Sequence, residues 1–362
     1  MKILFILHYP PPIHGAAAVG LQIKESELIN KTFSCKYINL GTSRTIDEIG
    51  GKSVQKLFRY LAIIWQVLIQ LVFNRPDLCY LSITSKGVPF YKDATLVLLA
   101  KLFGVKLVYH FHNKGVSLMQ DRVFDNLLYK FVFKKSNVIL LSEKLYPDIQ
   151  KYVSLKQIHF CPNGIPDMEI LTVDKKEDGR VSLLFLSNLL VSKGVFVLLE
   201  ACRVLKNKNL NFECVFVGGI GDINQQQFEE KLKDLDLADC VKYEGRKIGK
   251  EKAEAFATAD IFVHPTLDDC FPLVLLEAMQ YSLPVVSTLE GGVPDIVVNN
   301  ATGYLVEKAN VETLAGQLEM LIKQSELRKR FGSAGRGRYE NEFKIQCFEN
   351  RLHKILQTLT VK

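Results

Sequence analysis

The stretch ADIFVHPTLDDCFPLVLLEAMQYSLPVVSTLEGGVPD, residues 259–295, decides how this chain is to be read. An apolar run (Ile261, Phe262, Val263) halts at His264 and Pro265, and an acidic loop with Asp268 and Asp269 follows. Pro272 then opens the apolar segment LVLLEAM, in which Glu277 is the one charged residue. Proline is favoured at the first helical position, because its missing N–H costs nothing there, so a helix is predicted to begin near Pro272. The unsatisfied amides of that first turn, Leu273 and Val274, form an anion site that the helix dipole strengthens. Glu277 stands roughly 7–8 Å further along the axis at about 1.5 Å per residue, with a side chain that leans back toward the N-terminus. Phosphate and carboxylate would therefore face one pocket. A carboxylate is a poor phosphate ligand but a good bidentate acceptor for two neighbouring ribose hydroxyls, so the pattern implies a nucleoside diphosphate. The competing reading makes Glu277 a cap or an ion-pair partner inside a buried helix. Three neighbours weigh against it. Asp269 precedes Glu277 with seven residues between, Phe271 and Pro272 fix the turn, and a predicted strand over 284–287 ends in the turn Glu290-Gly291-Gly292-Val293-Pro294-Asp295.

This combination resembles the signature of family 4 of the glycosyltransferases, retaining enzymes of the GT-B fold: an acidic residue, seven residues and a Glu, then EAM and a GG-x-P-acid turn. Two departures keep the charge, Asp269 where Glu is usual and Asp295 at the end of the turn. The resemblance implies an α/β chain of two Rossmann-like, doubly wound parallel-sheet domains facing a central cleft, with a C-terminal helix crossing back to the first domain. It also implies roles for the residues of the box: Glu277 on the ribose, Asp269 on the sugar hydroxyls, and the backbone of Phe271, Pro272, Leu273 and Val274 on the phosphates.

The whole chain fits that frame. Its 362 residues, 48% hydrophobic and 23% charged, suffice for two domains. The N-terminal MKILFIL is too short for a signal peptide's apolar core and reads as a buried first strand. Eight cysteines without a C-x-x-C pair, mostly in apolar runs, suggest reduced thiols and a cytoplasmic setting. Residues 1–170 carry 21 Lys and Arg against 12 Asp and Glu, whereas the remainder carries 25 against 27. No nucleic-acid motif accompanies the basic half, so a membrane surface is the expected partner for it.

In chain order, the strand over 3–7 runs into a small-residue loop containing His14, Gly15 and Ala16, and a helix follows. Such a strand, loop and helix can hold an anion. The resemblance makes Gly15 and Ala16 part of the loop that approaches the donor diphosphate, while His14 reads as a surface residue. Residues 55–73 form one long apolar helix whose uninterrupted core, about 13 residues, is short of the roughly 20 that cross a bilayer. It reads either as a buried helix, the favoured reading, or as one partly immersed in an interface with Lys52, Lys56 and Arg59 at the headgroups. The apolar stretch 94–103 has the same ambiguity. The strand over 106–110 ends in His110-Phe111-His112. Two His at i and i+2 point the same way, yet no Cys or carboxylate nearby completes a metal site, and no metal is expected. The resemblance places a His close to the transferred sugar, best matched by His112, with His110 second; either also fits a plain core histidine. The turn Asn163-Gly164-Ile165 resembles the one that closes the family's first domain, and the charged stretch 173–180 reads as the linker. Domains are thus expected over 1–172 and 173–340, with a terminal helix over 341–362 carrying Phe348, Leu352, Ile355 and Leu359 in helical register.

After the linker the β-α alternation restarts. Lys193-Gly194 matches the family's K-G, whose Lys neutralises the donor diphosphate, a suitable task for a compact point charge. The Gly-Arg that usually precedes it is replaced by Ser187-Asn188, removing one cation from the donor site. Arg246, after the strand starting at Val241, falls in the segment that the resemblance places beside the nucleotide base. The resemblance therefore implies a retaining transferase that takes a UDP- or GDP-linked sugar, needs no cofactor or metal, and acts on a saccharide or polyprenyl-diphosphate-linked acceptor in capsule, O-antigen or exopolysaccharide assembly. Two rivals share the fold: a nucleotide-sugar 2-epimerase, which would need only donor and water, and an inactive partner protein, suggested by Asn188.

Overall fold

A computed structural model of the chain describes residues 1–11, 15–42, 54–171, 173 and 179–360. They form two compact units, Met1–Gly164 with Ile345–Lys362, and Ile165–Lys344. His14, Lys52 and the linker residues 174–178 lie outside the described residues.

The first unit is built on six parallel strands: β1 (Lys2–Leu7), β2 (Ser34–Asn39), β3 (Leu78–Ile83), β4 (Lys106–Phe111), β5 (Asn137–Leu140) and β6 (Ile158–Phe160). Their order is β2-β1-β3-β4-β5-β6. The chain adds β2 on one side of β1 and β3 on the other, which creates a switch point between β1 and β3. Strands covered on both faces must be apolar throughout, and β3 is buried at all six positions. The C-terminal helix Ile345–Thr360 belongs to this unit. It buries Phe348, Leu352 and Leu356, while Ile355 and Leu359 lie half-buried at the edge of that stripe. His353 Nε2 lies 3.1 Å from Thr32 Oγ1 and its ring packs on Phe33.

The helix expected over 55–73 is present as Val54–Ile69, continued by a π-helical turn Gln70–Asn74, but it is not buried. Only Ile63, Val67 and Leu71 are covered, whereas Phe58 is 66% and Trp65 65% exposed. The continuous helix is 21 residues long, and an 18-residue window within it has a mean hydropathy of 1.5, so the count of 13 apolar residues understates it: Gln66 and Gln70 interrupt the composition without interrupting the helix. Burial fails for a geometric reason. The side of the helix that meets the unit is the one carrying Arg59, which donates to Thr42 O (2.7 Å), and Tyr60, which donates to Lys92 O (2.8 Å). The helix Gly87–Leu102 divides the same way, with Ala94, Leu96, Val97 and Ala100 buried and Leu98 and Leu102 exposed.

The second unit repeats the plan with β7 (Val181–Leu186), β8 (Phe212–Val217), β9 (Val241–Tyr243), β10 (Ile261–His264), β11 (Val285–Thr288) and β12 (Gly303–Val306), in the order β12-β11-β10-β7-β8-β9. Phe185 packs tilted on Phe216, and Phe216 packs edge-to-face on Phe228, with ring centroids 4.9 and 5.0 Å apart, each ring worth about 1.5–3 kcal/mol of burial. The switch point falls between β7 and β10. The unit begins at Ile165, ahead of the charged stretch. Ile165 N donates to Phe343 O (2.9 Å), Gln280 Nε2 donates to Pro166 O (2.8 Å), and Asp167 pairs with Lys344 (3.0 Å). The seam in the chain is thus the Asn163-Gly164-Ile165 turn.

Candidate active site

Two loops meet at the switch point of the second unit. The loop after β7 offers the Ser192 carbonyl, which accepts from Leu267 N (2.7 Å), Asp268 N (3.1 Å) and Thr266 Oγ1 (3.2 Å) of the loop after β10. Gly194 has φ +78, and a Cβ there would sit 2.0 Å from Pro265 O, so only glycine allows the two loops to close on each other. Lys193 is thereby delivered to the acidic loop. Its Nζ donates to Asp269 Oδ2 (2.6 Å) and to Asp268 O (3.0 Å).

Asp269 is held from every side. Cys270 N donates to Oδ1 (2.8 Å), and His264 Nε2, at the buried end of β10, lies 3.5 Å from Oδ2. Burial alone would raise the carboxyl pKa. The His264 contact and the Lys193 charge outweigh it and bring the value down to about 2, so Asp269 is an anion at any physiological pH. A carboxylate in that state accepts hydrogen bonds and cannot act as a proton donor. With side chains 20% and 17% exposed, Lys193 and Asp269 remain open to a ligand.

The Gly-rich turn after β11 backs this loop. Gly291 has φ +50, a Cβ on it would lie 2.1 Å from Asp269 O, and Gly292 N donates to Cys270 O (2.7 Å). Glu290, 3% exposed, pairs with Lys308 at 2.7 Å. The helix beyond the loop spans Leu273–Gln280, and Pro272 takes the N-cap position, just before its first residue. Leu273 and Val274 are then the first two helical residues, whose amides no helix can satisfy internally. Glu277, one turn on, pairs with Lys252 Nζ at 2.7 Å. Lys252 comes from the helix Gly249–Thr258 and was not singled out in the sequence, where it is one cation in a charged helical run.

On the other flank Asn188 Oδ1 accepts from Gly219 N (3.1 Å). Arg246 Cδ comes within 4.0 Å of the point a Gly219 Cβ would occupy, so Asn188, Gly219 and Arg246 form one cluster after β7, β8 and β9. Three strands of this sheet, β7, β9 and β10, thus carry the expected site residues at one C-terminal edge, with the glycine turns after β8 and β11 beside them, where open parallel sheets hold ligands.

In the first unit, β4 extends to Phe111 and His112 stands just beyond it, half-buried. His110 is fully buried, with the Tyr80 hydroxyl on its Nδ1 and the His112 ring centroid 4.2 Å away. Burial, and then the charge of His112, push the His110 pKa well below the usual range, so His110 is a neutral core residue. His112 is the one of the pair at the sheet edge. Gly15 and Ala16 open the helix Gly15–Glu25, and among the described residues a Cβ on Gly15 would meet nothing within 4 Å.

Two doubly wound parallel sheets in tandem define the GT-B class of fold. HepE of Anabaena, solved in complex with UDP and glucose, superimposes with a TM-score of 0.74 at 17% identity over 99% of both chains. Residues 169–338 match the family described as glycosyl transferases group 1. The amylovoran biosynthesis glycosyltransferase AmsK of Erwinia amylovora is 33% identical over 183 residues, 49% of this chain and 44% of the relative. The capsular polysaccharide biosynthesis glycosyltransferase CapM of Staphylococcus aureus is 26% identical over 177 residues, 48% of this chain and 45% of the relative. The matched region spans a little under half the length of these curated relatives.

Proposed function

We propose that this chain is a retaining glycosyltransferase that moves a sugar from a UDP- or GDP-linked donor to a saccharide acceptor, carried on a polyprenyl diphosphate, during assembly of a cell-surface polysaccharide. The observation that carries the reading is the Lys193–Asp269 pair at the switch point, beside the N-terminus of a helix that bears Glu277 on its next turn. The donor diphosphate would lie on the amides of Phe271, Leu273 and Val274 with Lys193 neutralising it. Glu277 would accept the ribose hydroxyls and Asp269 those of the sugar, with Arg246 toward the base, Asn188 where a phosphate cation is usual, and His112 in the role of the histidine near the transferred sugar. An ammonium and a helix N-terminus together offset the charge a metal would otherwise carry. In the step itself the acceptor hydroxyl oxygen bonds the anomeric carbon as the bond from that carbon to the diphosphate oxygen breaks on the same face. The acceptor's proton passes to the departing phosphate oxygen, leaving a glycoside and a nucleoside diphosphate. The relatives' names in capsule and amylovoran synthesis support the polysaccharide setting. All eight cysteines are free, which suits a reducing cytoplasm, with the reaction at the inner face of the membrane.

Thermal unfolding with UDP, GDP, ADP, CMP and the matching sugars, with and without EDTA, tests the reading. A ligand at 100 times its Kd adds about 2.7 kcal/mol. One diphosphate is expected to stabilise regardless of EDTA; stabilisation by none would sink the proposal.

A further inference from the structure

The helix Val54–Ile69 is amphipathic in an inverted sense. At about 100° per residue, Val54, Leu57, Phe58, Leu61 and Trp65 fall on one stripe roughly 100° wide, and all five are exposed. The opposite side holds Ile63 and Val67, which are buried, together with Arg59 and Tyr60, which are hydrogen-bonded into the unit. Two neighbouring helices continue the surface. Gly87–Leu102 lies against the first through the Tyr60–Lys92 contact and exposes Val88, Leu98 and Leu102. Val123–Phe133 lies against the second through the Tyr91–Phe124 ring pair and exposes Phe124 and Leu127. Single exposed apolar residues are ordinary, but a face of this extent across three adjacent helices marks a docking surface.

Charge identifies the occupant. Residues 54–135 carry twelve Lys and Arg against four Asp and Glu. Of those four acids Asp93 and Asp125 are buried, and Asp121 is paired with Lys151. The exposed cations Arg122, Lys130, Lys134 and Lys135 lie at or beyond the ends of the third helix's apolar stripe. Apolar side chains on one face with Lys and Arg around them match a bilayer of anionic lipid, where the acyl boundary takes the former and the headgroups the latter. We propose that these three helices dock the first unit onto an anionic phospholipid surface, lying in the interface. Ile63, Val67 and Leu71 keep the first helix packed on the unit, so it lies along the membrane and does not cross it. The proposal rests on the lipid-linked acceptor put forward above, and would hold that acceptor's diphosphate at the height of the first unit.

Trp65 is the one tryptophan of the chain and stands on the docking stripe, so its fluorescence reports the event directly. The full-length protein is mixed with vesicles of phosphatidylglycerol and phosphatidylethanolamine, or of phosphatidylcholine alone, at low and high salt. Flotation with the anionic vesicles, a blue shift of Trp65 and weakening by salt are expected. Phe58→Gln with Leu61→Gln should lower vesicle partitioning at least roughly tenfold while leaving UDP binding and the melting temperature unchanged, since both side chains are exposed. Failure to float on anionic vesicles overturns the proposal. So does a concentration-dependent dimer that the double variant abolishes, because a second copy would then cover the face. A protein that binds UDP but not vesicles loses this surface and keeps the transferase reading; one that floats without binding any nucleotide loses the transferase reading alone.

Discussion

Lys193 follows β7 and Asp269 follows β10, 76 positions apart, yet Nζ and Oδ2 stand 2.6 Å from each other. The sheet order makes β7 and β10 neighbours although two strands intervene in sequence, so this ion pair spans the crevice of the second unit.

The pair stabilises the fold with a defined pH dependence. The native Asp269 carboxyl lies near 2, below its ordinary 3.8, a contribution of about 2 kcal/mol at neutral pH. It is fully present above the unfolded value and is lost as pH falls toward 2. Asp269→Asn should therefore be less stable than the parent by about 2 kcal/mol in urea at pH 7, with the gap narrowing at pH 3. An unchanged gap would remove Asp269 as the titrating group.

Asp93 has the opposite sign. It is 5% exposed and accepts Thr84 N at 2.8 Å; burial raises its carboxyl to about 7 despite that hydrogen bond. The folded state then holds a proton between pH 4 and 7 that the unfolded chain has released. Its contribution is fully present below the unfolded value and disappears as pH climbs through 7, a swing on the order of 4 kcal/mol. Asp93→Asn keeps an acceptor for Thr84 and does not titrate. Its stability relative to the parent should rise from pH 4 to pH 8, and parallel pH profiles for the two proteins would contradict the assignment.

Glu277 and Lys252 separate binding from packing. If Glu277 takes the ribose, Glu277→Gln should weaken the diphosphate that binds by tenfold or more, about 1.4 kcal/mol. Lys252→Met should cost less, because Lys252 holds the carboxylate in place at 2.7 Å and is not itself assigned a contact with the ligand. Calorimetric titration of both variants decides, and equal affinity of Glu277→Gln and the parent would leave Glu277 as an ion-pair residue only.

Glycine substitutions probe the loop junction. Gly194→Ala and Gly291→Ala each force a Cβ to about 2 Å from a carbonyl oxygen at positive φ, and each should cost at least about 2 kcal/mol. Gly316→Ala, in the helix Val311–Lys323 with open space around it, should instead stabilise by about 0.5–1 kcal/mol. Melting temperatures that rank the three otherwise would mean the junction relaxes freely.

The chain's periodicity was enough to read two rounds of strand-helix alternation, because a parallel sheet covered on both faces demands apolar strands wherever it runs. Local sequence likewise placed the start of a helix near Pro272, within one residue of where it begins, and set Glu277 on it beyond Asp269, whereas Lys193-Gly194 was marked only by the family resemblance. Contacts between residues far apart in sequence were not legible. Nothing around Lys252 indicates that it meets Glu277, since helix packing across 25 positions decides it. The unit boundary was legible in part: the Asn163-Gly164-Ile165 turn marks it, as the resemblance implied, but the charged stretch taken as the linker lies beyond it, because Gln280, Tyr339 and Lys344 draw residues 165–168 into the second unit. The helix Val54–Ile69 shows the division most plainly. Its sequence determined that it is apolar and helical, while the unit's other elements decided which side was covered, because hydrophobicity sets what a helix will bury and only packing sets what it can.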